Sequence, residues 1–283
     1  MKFSKSSIVL IVALGLFLIY MFGQSESSLE IVDFSVDKPE TQTTSIASNE
    51  ERSPYYGDLH VHTKYSFDAY VFGITATPDD AYRYAKGEGI KHPLGYEMKL
   101  REPLDFYAVT DHGIFLGMIN AFADTTTKAS QKPWAEPFHN LNRPENMNDA
   151  SFGERANLFS SVVGGGALVE PYPYWHPKVI KAWFTKNTAL ALKAFDYDVH
   201  KSAWADIARA AEEHNDPGKF TSFIGYEFTS STNVEGGNLH RNVIFNSSEA
   251  PIRPWSRIDS INPEDLWTWM DKLRDKGDRK SVV

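Results

Sequence analysis

Two short stretches constrain this chain most: Asp58-Leu59-His60-Val61-His62 and Thr110-Asp111-His112. Each sets metal-ligand side chains at the end of a run that reads as a strand. Alternate residues of a strand share a face, so Asp58, His60 and His62 are expected to point the same way. Two imidazoles held on one side of a stiff extended backbone make a chelate. The pattern predicts metal ions at the mouth of a β/α structure, and a hydrolase that uses them.

Composition narrows the chemistry. The 283 residues contain no cysteine, so thiolate zinc sites and disulfides are excluded. Any metal must sit on His, Asp, Glu, backbone oxygen or water, a donor set suited to divalent Zn, Mn or Fe. The formal net charge of -8 argues against a nucleic-acid partner. It is compatible with a small phosphorylated substrate, because a bound metal supplies local positive charge.

Lys2 and Lys5 precede an apolar run from Ile8 to Phe22. Lysines ahead of such a run are the charge pattern of a signal peptide or an uncleaved signal anchor, here over residues 1–23. The expectation is an exported protein, periplasmic or on the outer face of the inner membrane, with the membrane as a partner of the N-terminal segment. Residues 24–53, rich in Ser, Thr, Glu and Asp, read as a flexible tether. The folded region is expected from residue 54 to 283.

Within it, Gly57 to His62 reads as the first strand. Thr77-Pro78-Asp79-Asp80 opens a helix, with Thr77 as cap, Pro78 at the first helical position and acids in the first turn. That helix ends near Gly87, and Leu104 to Thr110 is a buried strand delivering Asp111 and His112. Strand, helix, strand is the βαβ unit of a parallel sheet. A mostly helical insertion is expected over about 113–201, including Ile180 to Phe195. Ser202 to His214 is an amphipathic helix, Phe220 to Phe228 and Asn238 to Phe245 are strands, and Asn262 caps a last helix running to Lys276.

His60-x-His62 alone is a weak signal, since two strand histidines can simply hydrogen-bond to neighbours. Other strands raise it: one ends in Asp111-His112, one carries Glu227, one carries His240. Glu227 on an apolar strand is costly to bury unpaired and must bind metal or a cation. Asp68 is either a ligand or a turn cap beside Ser66. Arg241 either clamps a substrate phosphate or carboxylate or pairs with Glu227. Asp58 is read as supporting rather than ligating. His139, His176, His200 and His214 read as surface or structural. Gly164-Gly165-Gly166 lacks the Lys-Ser/Thr of a phosphate-binding loop.

The stretches Tyr56 to Thr63, Tyr65-Ser66-Phe67-Asp68, Thr110-Asp111-His112, Phe223 to Thr229 and Gly237 to Phe245 resemble the PHP (polymerase and histidinol phosphatase) metal-dependent phosphoesterases. More closely, they resemble an exported domain-of-unknown-function family, number 3604, within that group. The resemblance implies a distorted (β/α)7 barrel with two or three metal ions at its C-terminal rim. It places His60, His62, Asp68, His112, Glu227 and His240 on ligand positions. Asp111 falls where it would orient a ligand, and Arg241 and Asp111 are the residues expected to assist catalysis. One departure stands out. The later Pro-His-Asn strand and final Asp-x-His of PHP proteins have no counterpart before Val283. The expectation is therefore the N-terminal portion of a barrel, which would fold poorly alone, bind metal incompletely and lack activity. The reaction expected of a full-length form is phosphoester hydrolysis by metal-activated water. The alternatives are amide or ester hydrolysis of the amidohydrolase kind, whose first strand also carries His-x-His, and an inactive binding module.

Overall fold

A computed structural model describes residues 15–16, 28–38, 53–141, 143–146, 148–163, 196–231, 238–260 and 262–276. Its centre is a three-stranded parallel sheet of β2 (Gly57–Val61), β5 (Phe106–Val109) and β6 (Thr221–Ser222), with β5 in the middle. The connection from β2 to β5 carries two helices, α1 (Phe67–Val71) and α2 (Pro78–Ala85). In α2 the Thr77 hydroxyl accepts from the Asp80 N–H while the Asp80 carboxylate accepts from the Thr77 N–H. That reciprocal capping fixes the helix start where the sequence predicts it. A small hairpin follows, β3 (Ile90–Lys91) with β4 (Glu97–Met98).

After β5 the chain forms α3 (Met118–Ala123), several short 3-10 turns and α4 (Phe152–Val163). Residues 164–195, which include the expected helix from Ile180 and the Gly164 run, lie outside the described residues. The chain returns in α5 (Tyr197–His214), which starts five residues before the expected Ser202. Asp196 accepts from the N–H groups of Asp198 and Val199 and so caps it earlier. Next come β6, then β7 (Ile224–Ser231) and β8 (Asn238–Phe245), an antiparallel pair in continuous register. The bridge between His112 and Glu227 ties β7 to the end of β5. α6 (Glu264–Asp275) closes the described chain.

The core lies between the sheet and α2, α5 and α6. Trp204 of α5 is fully buried and meets Tyr226 and Phe245 edge-on. Its indole N–H donates to the Pro251 carbonyl at 2.6 Å. Leu266, Trp269 and Met270 of α6 fill the same core.

Three expectations need correction. The incomplete (β/α)7 PHP-type barrel is not what forms: the described sheets are small and none closes into a barrel. β8 follows β7 after residues 232–237 alone, too few for a parallel crossover, so it returns antiparallel. Second, among the described residues no helix is long and apolar enough to cross a membrane, so the expected N-terminal membrane segment finds no support. All of the Ile8–Phe22 run but Gly15 and Leu16 lies outside the described residues. Third, part of the expected tether is docked on the body. Ile31–Asp33 forms β1, antiparallel to β9 (Glu249–Pro251), and the Trp269 indole donates to the Ser28 carbonyl at 3.1 Å. Ile31 and Val32 are too short an apolar run to register as a strand in a polar stretch.

Candidate metal centre

Glu227 is the point on which the site converges. Its side chain is 1% exposed, a position that a lone carboxylate cannot hold without partners. The partners come from three segments, and a fourth supports two of them. From the end of β2, His60 Nε2 and His62 Nε2 lie 3.0 and 2.7 Å from Glu227 Oε2. From the end of β5, His112 Nδ1 lies 3.5 Å from the same oxygen. From β8, His240 Nδ1 hydrogen-bonds Glu227 Oε1. Asp68, at the start of α1, meets His62 Nδ1 at 2.9 Å and His112 Nε2 at 3.4 Å.

Three sets of ligand atoms are close enough to hold an ion: His60, His62 and Glu227; His62, Asp68 and His112; and His112, Glu227 and His240. Adjacent sets share His62, His112 or Glu227, so the positions form a contiguous cluster. The six residues named as ligands from the sequence are the six that come together.

Electrostatics fit a cation site. Burial alone would raise the Glu227 carboxyl, but the hydrogen bond from His62, the charge of His112 and the bond to His240 bring it down to about 2. Burial likewise works against Asp68, and His112 and His62 hold it well below the usual carboxylate range. Burial pulls the His62 imidazole down, yet Asp68 and Glu227 more than reverse this and raise it to about 10. The cluster thus has carboxylates committed to the charged form and an imidazole that carries a proton where a metal would replace it.

The residues expected to assist are placed differently. Asp111 is fully buried and pushed up to about 6, burial outweighing its bonds to Thr63. It accepts from the Thr63 N–H and, at 2.6 Å, from the Thr63 hydroxyl. It therefore fixes the backbone just past His62 and makes its own contribution through position. Arg241 is separated from the cluster. On β8 it follows His240, so it points to the other face, where it donates to the His240 carbonyl at 2.8 Å and lies beside Trp267, Met270 and Arg274. Pairing with Glu227, one of the two roles foreseen for Arg241, does not match that placement. Asp58 accepts from the His60 N–H at 2.9 Å and supports rather than ligates.

Of the other histidines, His200 is buried with Nε2 2.8 Å from the Gly113 carbonyl, His214 pairs with Asp79 at 2.7 Å, and His139 lies 2.9 Å from the Ser130 carbonyl. His176 lies outside the described residues. Sequence reasoning missed three contributors. Thr63 holds Asp111. Thr229 Oγ1 lies 2.6 Å from His112 Nδ1. Asn242 donates to the Leu59 carbonyl at 2.8 Å, tying β8 to the ligand-bearing end of β2. Thr229 and Asn242 each stand two residues from a ligand on the same strand, and that spacing was the available signal.

Neither the curated proteins nor the solved structures contain a match to this chain. The sequence pattern of one family, described as a protein of unknown function (DUF3604), matches residues 49–283. The chain belongs to the DUF3604 family of proteins of unknown function.

Proposed function

We propose that a full-length form of the protein is a metal-dependent hydrolase of phosphoesters, related in its chemistry to the PHP phosphoesterases. The observation that carries the reading is the convergence of His60, His62, His112 and His240 with Asp68 on the buried Glu227. Nitrogen and carboxylate donors without thiolate fit Zn, Mn or Fe, and the Glu227 carboxylate, common to two of the sets, offers one oxygen to each of two ions. Bound there, divalent ions supply Lewis acidity and an activated water for displacement at phosphorus.

The chain's own part is to hold and to open. Glu227 and Asp68 place negative charge against the cations. Phe67, stacked on His112 at 4.5 Å between ring centroids, walls off one side. His60 and His240, with side chains 56% and 43% exposed, form the open rim, so a small phosphorylated substrate would approach past them. The charge pattern of Lys2 and Lys5 before an apolar run supports export of this activity, and cell fractionation tests that point separately.

The central test is metal content and turnover of a full-length form. More than one equivalent of metal is expected by elemental analysis, most of it lost in the His60→Ala, His62→Ala double variant. Glu227→Gln is expected to lower metal affinity by at least about a hundredfold, and chelator to abolish phosphoester hydrolysis. Unchanged metal content in the double variant would overturn the reading. Hydrolysis of amides but not phosphoesters would move the reaction to the amidohydrolase class.

A further inference from the structure

The hairpin that carries Glu227 and His240 has a second face. On it, Tyr226, Phe228, Val243 and Phe245 pack into the core against α5 and α6, and Arg241 stands opposite Phe228. Between Arg241 and the outer side of α6 lies a cavity of about 430 Å³, lined by Arg241, Trp267, Met270 and Arg274.

The lining is specific in kind. Two arginines line one space beside an indole that remains 42% exposed. Trp267 is a large apolar side chain left in water on a helix whose neighbours Leu266, Trp269 and Met270 are buried. Arg241 spends one N–H on the His240 carbonyl and, among the described residues, forms no ion pair with an acid. Arg274 is held by Asp271 at 2.6 Å, an exposed pair one helical turn apart that contributes little to stability and can yield to a ligand anion. A guanidinium offers a planar fork of donors to carboxylate, sulfonate or phosphate oxygens, and the indole offers a flat apolar wall and edge.

We propose that this cavity is a binding site for a flat organic anion, separate from the metal centre and on the opposite face of β7 and β8. Arg241 and Arg274 bind the anionic group, and Trp267 with Met270 covers its planar apolar part. The Asp271 carboxylate disfavours a second negative charge, so a monoanion is preferred to a dianion.

The test uses the full chain, metal-loaded, titrated calorimetrically with 1-naphthalenesulfonate, a planar monoanion that is a poor metal ligand. Saturable one-to-one binding is expected. Arg241→Gln and Arg274→Gln, both at exposed positions, should each weaken it about tenfold, the scale of a charge-assisted contact. Trp267→Ala should weaken it as well. The His60→Ala, His62→Ala double variant should bind as the parent does, which separates this site from the metal centre whatever that centre's chemistry. Unaltered affinity in both arginine variants, loss of binding in the histidine variant, or no saturation below about 1 mM would overturn the proposal.

Discussion

At the scale of single residues, the site turns on which nitrogen each histidine presents. His112 faces Asp68 with Nε2 and Thr229 with Nδ1. For Nε2 to bind an ion beside His62 and Asp68, the ring must carry its proton on Nδ1 and donate it to the Thr229 oxygen. With an ion bound in that way, Thr229 would select the tautomer and the ring angle. Thr229→Val keeps the shape and removes the acceptor. It is expected to reduce metal affinity about 10–100-fold, measured by competition with a chelator of known strength, while Thr229→Ser retains it. The nitrogen-15 signals of the His112 ring should report the lost Nδ1 proton position in the valine variant. A valine variant with parental affinity would show that packing, not the hydroxyl, orients His112.

At the scale of elements, strand alternation and tight backbone approach explain both what could be read from the sequence and what could not. Every proposed ligand but Asp68 sits on a strand or just past its end, and this made their convergence legible. The same alternation sends Arg241 away from His240, a consequence that the attraction of a cation for Glu227 obscured. Helix α2 was legible because Thr77, Pro78 and Asp80 are a complete start signal. The first turn of α5 hung on Asp196 alone, and β1 on two apolar residues. The barrel was inferred from likeness, and the short link between β7 and β8 defeats it locally. Gly117 was silent for a different reason. It stands before α3 at φ 73°, and a Cβ there would lie 2.6 Å from the Cβ of Ala203 in α5. A left-handed backbone and a helix contact both demand glycine. Gly117→Ala is expected to cost about 2–4 kcal/mol from strain and overpacking together, read from denaturant unfolding. A loss below about 0.5 kcal/mol would show that α3 and α5 separate freely.

At the scale of the whole molecule, the proposed metal centre and the core impose opposite pH dependences. His200, buried against the Gly113 carbonyl, is held down to about 3 by burial first and by Arg253 second. Below its ordinary 6.5 the unfolded chain takes a proton that the folded chain refuses, so stability is lost as pH falls from about 6.5 towards 3. His62 is the reverse case in the metal-free protein. Its imidazole is raised to about 10, so its contribution is full below 6.5 and disappears as pH rises towards 10. The amount is on the order of a few kcal/mol. On the proposed reading an ion at the centre would take the place of that proton, so loading would release protons near neutral pH and remove the alkaline loss. The melting temperatures of metal-loaded and chelator-stripped protein should therefore draw apart between pH 6.5 and 9. In His62→Gln the stripped protein should lose its alkaline decline, while the acid decline attributed to His200 persists in every form. A gap that stays constant with pH would mean that no proton on His62 is exchanged for metal, and that the carboxylates of Glu227 and Asp68 are balanced by some other charge.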